Sequence, residues 1–149
     1  MVVKENQIDS APIETIDEEP VFEMVSNIRY ILRDTGYIYD VFTDDRAVAT
    51  TRVTNTTIPK IQEAYFWGDG VGVITRYLDK DNQTIKTYVG SISENVGEEP
   101  GSVTGYFLED NIEEITLSPD RSSLAYIKKY NLDTFFYTVT LPQGTKTSF

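Results

Sequence analysis

The chain has 149 residues, with 13 basic against 24 acidic side chains, a net charge of −11, and neither cysteine nor histidine. Phosphate binding needs clustered Lys and Arg, so the acidity excludes nucleic acid and anionic membrane surfaces as partners. The missing Cys and His remove disulfides, thiolate nucleophiles, Cys/His zinc sites, Ser-His-Asp triads and the usual imidazole base. A hydrophobic content of 40% suffices for a core, and aromatics at 12%, mostly Tyr, lean toward β structure.

Residues 1–20 read as an acidic linker or tail. Glu5, Asp9, Glu14, Asp17, Glu18 and Glu19 face the single Lys4, with Pro12 and Pro20 as punctuation. Ile8, Ile13 and Ile16 are too sparse for an amphipathic face, so few tertiary contacts are expected of residues 1–18. The first residues show no basic n-region and no apolar h-region. No apolar run approaches the ~20 residues of a spanning helix, so no membrane insertion is expected within this chain.

Residues 21–149 form the folded region. Val21–Asn27 holds at most one helical turn. Ile28–Leu32 and Tyr37–Phe42, joined by Arg33-Asp-Thr-Gly36, read as a β-hairpin. Ala47–Val53 reads as a strand, and Asn55–Pro59 as a loop, since Pro59 has no amide hydrogen for a ladder. Ile61–Trp67 runs into the turn Gly68-Asp-Gly70. Val71–Leu78 and Thr84–Ile92 form a second hairpin around the polar turn 79–83, and a long soft loop follows to about Thr104. Ile112–Leu117, Ser123–Lys128 and Thr134–Leu141 are the later strands, with Ser118-Pro-Asp120 and Pro142-Gln-Gly144 as turns.

The strands repeat. With Tyr77 placed over Tyr126, the two tyrosines of each hairpin are separated identically (88 − 77 and 137 − 126). The pair Tyr30 and Tyr39 has the same design with a tighter turn. Ile61–Gly70 lies over Ile112–Arg121, and the turns coincide at Asp69 and Asp120. The offset there is two residues larger than at Tyr77/Tyr126, which reads as a deletion in the second turn. Periods of about 40–50 residues, each with several strands, belong to β-propeller blades.

Ile115-Thr-Leu-Ser-Pro-Asp-Arg-Ser-Ser-Leu-Ala-Tyr-Ile127 resembles the repeat of the WD40-like propellers of the Tol-system periplasmic protein. There a strand, a Ser-Pro-Asp-Gly turn and a Leu-Ala-Tyr strand recur. Arg121 stands where that family usually has Gly, which implies a tighter turn or one of another type. The match is specific over about Ile112–Leu141 and looser over Ile61–Ile92. The resemblance implies an all-β scaffold or binding propeller, exported or at the cell surface, of which this chain holds about two complete blades and one partial one. Because the chain stops soon after a turn that ordinarily leads into another strand, the expectation is a piece of a longer propeller. Closure by several chains and a small sandwich or barrel are the alternatives. A chain short of the minimum of about four blades leaves faces uncovered, so it is expected either to self-associate or to bury those strands differently.

Candidate chemistry is thin. Asp79-Lys-Asp-Asn-Gln-Thr84 opens like a calcium loop but has Thr84 and Gly90 where Gly and Glu belong, so a solvated turn is the better reading. The pairs Glu18-Glu19, Asp44-Asp45, Glu98-Glu99, Glu109-Asp110 and Glu113-Glu114 read as solvated charge, because neighbours on a strand point to opposite faces. Ser118, Ser122 and Ser123 have no histidine, and a dyad with Lys128 or Lys129 has no motif behind it. Asn55-Thr-Thr57 and Asn82-Gln-Thr84 match the glycosylation sequon, a short pattern. Gly68-Asp-Gly-Val-Gly72 lacks the ending of a phosphate loop. Tyr65 and Trp67 against Phe66 alternate as core residues rather than a stacking patch. No catalytic, metal or cofactor residue is therefore expected.

The function expected is non-catalytic: a propeller-type scaffold presenting loops to a protein or glycan partner. The alternatives are the accessory propeller of a hydrolase or peptidase whose catalytic domain lies outside this chain, and a surface or virion structural subunit.

Overall fold

The computed structural model describes residues 2–9, 24–43, 48–93, 95–97 and 99–148, with side chains from Asn27 onward. The described chain is all-β and antiparallel. Its strands are β1 (Val2–Asp9), β2 (Met24–Ile31), β3 (Ile38–Thr43), β4 (Val48–Arg52), β5 (Ile61–Trp67), β6 (Gly72–Leu78), β7 (Ile85–Ile92), β8 (Val103–Phe107), β9 (Glu114–Leu117), β10 (Ser123–Tyr130), β11 (Asp133–Thr140) and β12 (Thr145–Ser148). They form three four-stranded sheets, β1-β2-β3-β4, β5-β6-β7-β8 and β9-β10-β11-β12, each a meander in sequence order and none closed. Among the described residues no helix is long and apolar enough to cross a membrane.

Three expectations are corrected here. Val2–Asp9 is not a free tail: its backbone pairs with Met24–Ile31 over eight positions. Residues 10–20 lie outside the described residues. Met24–Asn27 belongs to β2 rather than to a helical turn. And the count of two complete blades plus one partial becomes three sheets of four strands, because β1, β8 and β12 supply the edges that the sequence pattern hides.

Cross-strand register shows how the sheets correspond. Tyr30 lies opposite Tyr39, Thr75 opposite Tyr88, and Tyr126 opposite Tyr137. The position matching Tyr126 is thus Thr75, and Tyr77 pairs with Lys86. The two-residue deletion sits later than the sequence alignment places it. The Gly68 and Ser118 turns have equal length, since Trp67 pairs with Gly72 and the Ser118 amide bonds the Ser123 carbonyl. The hairpin after β6 closes from Leu78 to Ile85, whereas that after β10 closes from Tyr130 to Asp133 around Asn131-Leu132. Asn131 has φ 57°, a left-handed conformation that Asn tolerates better than most residues.

Alternation on the second sheet builds two cores. Ala64, Phe66, Val73 and Val103 pack with Ile31 and Ile38 of the first sheet and with Val53, Ile58 and Ile61. From the other face Trp67, Ile74 and Val89 pack with Ile112, Leu124, Tyr126, Val139 and Leu141. Phe66 and Trp67 point to opposite faces, as strand geometry requires of neighbours. The second sheet is therefore covered on both faces, and the first and third sheets on one each.

Arginines cross both junctions, Arg29 and Arg33 at the first and Arg76 at the second; Arg33 Nε donates to the Ile61 carbonyl at 3.0 Å. Arg29 lies opposite Asp40 and binds it with both Nε and Nη2, at 2.7 and 2.6 Å. Its Nη1 donates at 2.6 Å to the carbonyl of Gly70, in the turn between β5 and β6 of the second sheet. Arg76, which is 7% exposed, donates from Nη2 to the carbonyls of Ile112, at 2.5 Å, and Glu113, at 3.2 Å. Its Nη1 donates to Glu63 at 2.7 Å.

Arg121 keeps the left-handed backbone that Gly would give, with φ 55°, where Gly70 at the matching turn position has φ 91°. The departure from glycine therefore changes the strain, not the turn. Left-handed backbone costs an L-residue roughly 1–2 kcal/mol, part of which glycine returns as unfolded-state entropy. Arg121→Gly is expected to raise stability by about 0.5–1 kcal/mol in thermal melting. A lowered melting temperature would show that the arginine side chain does more than occupy the turn.

Candidate binding surfaces

The polar motifs singled out in the sequence are occupied by the fold itself. Residues 79–84 are a hairpin turn in which Asp81 Oδ1 accepts from the amides of Gln83, at 2.9 Å, and Thr84, at 2.8 Å, while the Thr84 hydroxyl donates to Oδ2. The Thr84 hydroxyl and these amides hold the Asp81 carboxyl down at about 2. Asp79 accepts from the Lys80 amide at 2.7 Å and lies 4.0 Å from Lys86. Among the described residues no group of three or more His, Cys, Asp or Glu side chains is placed to hold a metal ion.

The acidic pairs separate as well. Glu109 accepts from Lys146 at 2.7 Å and from the Tyr126 hydroxyl at 3.1 Å, and the Lys146 hydrogen bond is the chief reason its carboxyl titrates below the ordinary range. Asp110 pairs with Lys86 at 2.7 Å, and Glu113 with Lys129 at 2.9 Å. The first two of these carboxylates clamp residues on either side of the second junction, so they serve the packing. Glu18, Glu19, Asp44, Asp45 and Glu98 lie outside the described residues.

Ser118 and Ser122 both donate to Asp120, the latter at 2.8 Å, and so close the Ser-Pro-Asp turn. Asn82, at φ 54°, accepts from Lys60 Nζ at 2.8 Å, and the Asn55 amide bonds the Gly101 carbonyl at 2.9 Å. Gly68–Gly70 is a short turn between strands with no helix after it. Tyr65, Phe66 and Trp67 divide between the two cores.

A cleft does form where the first and second sheets meet. Thr56, Thr57, Ile58, Tyr77, Tyr88 and Phe107 line a recess of ≈ 210 Å³. A second recess of ≈ 240 Å³ shares Thr57, Ile58 and Tyr77 and adds Pro59, Lys60, Leu78 and Asp79. Tyr88 and Phe107 are register partners, with ring centroids 5.0 Å apart at 60°. Phe107 stays 57% exposed. Burial raises the hydroxyl pKa of Tyr77 and of Tyr88, so both are neutral donors in ordinary buffers.

The connector is fixed beside these rings. The Val103 amide donates to Thr56 Oγ1 at 2.8 Å, and Tyr37 carries the Arg52 guanidinium 3.7 Å above its ring. The result is an aromatic wall of Tyr77, Tyr88 and Phe107 beside Thr56, Thr57 and Ile58. Sequence reasoning found Tyr77 and Tyr88 only as repeat markers. Thr56 it left in a loop, and Phe107 it assigned to no element.

Comparison with known proteins yields no matching family model, no matching curated protein and no matching solved structure.

Proposed function

We propose that the chain is a non-catalytic propeller-type scaffold, a set of blades from a larger propeller assembly, that presents its junction loops to a protein or glycan partner. The observation that carries this reading is the succession of three meanders of equal strand number and matching register, stacked through two cores. Blades of four strands in sequence order are the unit of propellers. The WD40-like resemblance of Ile115–Ile127 supports the same reading.

The binding surface it assigns is the aromatic cleft at the first junction. Faces of Tyr and Phe stack on sugar rings through their apolar surface, and hydroxyls at the rim supply directional hydrogen bonds. Neither requires a catalytic group, and among the described residues Glu109, Asp110 and Glu113 are engaged in ion pairs.

Titration with a panel of neutral oligosaccharides, followed by amide chemical shifts, tests the proposal. Shifts clustered at Thr56, Tyr77, Tyr88 and Phe107 are expected, abolished in Phe107→Ala, with the sugar recovered intact. Release of new reducing ends would overturn the non-catalytic reading. Shifts confined to other loops would remove the cleft from it.

A further inference from the structure

The outer face of the third sheet is concave and bare. Glu114, Thr116, Ala125, Ile127, Phe136 and Thr138 line a depression of ≈ 470 Å³ there. Register places them on one face, since Ala125 pairs with Thr116 and Thr138, and Ile127 with Glu114 and Phe136. Phe136 is 53% exposed, a large apolar ring in solvent at the centre of a strand.

The corresponding faces of the other two sheets are covered. Arg29, Ile31, Ile38 and Asp40 occupy these positions in the first sheet, and the second sheet lies against them. Ile74, Arg76, Thr87 and Val89 occupy them in the second sheet, and the third sheet lies against those. Ile38, Ile74 and Thr87 are completely buried.

The surface that does the covering is also recognisable. On the third sheet it carries the stacked pair Tyr126 and Tyr137, with centroids 4.9 Å apart at 28°. The first sheet carries the same device on its own outer face, Tyr30 and Tyr39 at 5.5 Å and 15°. Among the described residues, neither tyrosine of that pair belongs to either core. The chain thus bears a bare face at one end and, at the other, a copy of the surface that covers such faces.

We infer that the outer face of the third sheet docks onto the outer face of the first sheet of a second copy of this chain, head to tail. This rests on the reading of the sheets as equivalent blades. Such a contact is heterologous, and it forms closed rings when the rotation closes. Two copies supply six sheets, within the range of about 4–8 found in closed propellers. Each copy carries a charge of −11, so added salt should strengthen the association by screening repulsion while the apolar contact persists.

Sedimentation equilibrium of the full chain, with Phe136→Asp and Tyr30→Asp, tests it. The wild type is expected at twice the 16.9 kDa chain mass or a higher multiple. Each variant alone is expected to be monomeric with an unchanged far-UV spectrum, and an equimolar mixture of the two should form a one-to-one pair through the single intact contact. A monomeric wild type would overturn the inference. So would an oligomer that survives Tyr30→Asp, since that would mean third sheet against third sheet. Either failure leaves the far-UV spectrum and the cross-strand register untouched, so the blade reading itself would stand. Should Tyr30→Asp unfold, Tyr39→Lys on the same face gives the same readout.

Discussion

Replacing Trp67 with alanine is expected to be the most damaging single change in the chain. Trp67 is 5% exposed and sits in the core between the second and third sheets. Its ring lies over Gly72, its register partner; a Cβ there would come within 2.0 Å of Cε2. The glycine is therefore the space in which the indole packs. Truncating a buried Trp costs about 3–5 kcal/mol, the transfer loss plus the cavity left behind. In a chain of this size that corresponds to a fall in Tm of about 10 °C or more. Trp67→Phe should cost much less. The indole Nε1 is buried without a hydrogen-bond partner among the described residues, so its removal forfeits no bond. Differential scanning calorimetry of the three proteins checks the order wild type, Phe, Ala. Equal losses for both variants would contradict the packing role.

Arg76→Met is expected to cost about 2–4 kcal/mol, because it strands the buried carbonyl of Ile112 and the part-buried carbonyl of Glu113, at about 1–3 kcal/mol for a buried unsatisfied group and less for the other. Methionine keeps the length and the apolar stem, so the loss reports the hydrogen bonds rather than a cavity. The ion pair to Glu63 adds little, since that carboxylate is 47% exposed. The contrast with Glu63→Gln is the control: it should shift the urea midpoint only slightly. Urea unfolding with an unchanged slope would place the effect in stability alone. A loss under 1 kcal/mol for Arg76→Met would mean that water satisfies those carbonyls as well as the guanidinium does.

Both predictions rest on junctions, and the junctions were the part least legible in the sequence. The hairpins were readable because their turns carry specific chemistry: Arg33–Gly36, Gly68–Gly70, Asp79–Gln83 and Ser118–Asp120 all fall at strand ends. The inner strands were readable because apolar residues mark them, as in Val73-Ile-Thr-Arg-Tyr-Leu78. The strands that escaped are all sheet edges. An edge strand is held by ladder hydrogen bonds on one side and need not bury an apolar stripe. Thr145–Ser148 has no apolar residue and is exposed throughout. Val103–Phe107 hides behind a loop rich in Gly and Glu, and its Gly105 sits opposite Gly90. Val2–Asp9 has only Val2, Val3 and Ile8 as apolar residues and runs into an acidic stretch, so it does not read as a strand.

The alignment error at Tyr77 has a similar origin. Thr75 and Tyr77 lie two positions apart on one face of the strand, and only the hairpin length decides which of them stands opposite Tyr88. Arg29 and Arg76 gave one signal that could have been used: a single arginine inside an otherwise apolar inner strand needs a buried partner. The aromatic cleft gave none, because Phe107 comes to Tyr88 through an edge strand that the sequence pattern concealed.

The central claim is that three register-equivalent meanders stack face to face. Cross-strand backbone nuclear Overhauser effects test it most directly. The account predicts connectivities between Tyr30 and Tyr39, Thr75 and Tyr88, and Tyr126 and Tyr137, together with contacts from the Trp67 indole to the methyl groups of Leu124 and Leu141. Connectivities placing Tyr77 opposite Tyr88, or joining β4 to β5 in one continuous sheet, would contradict it.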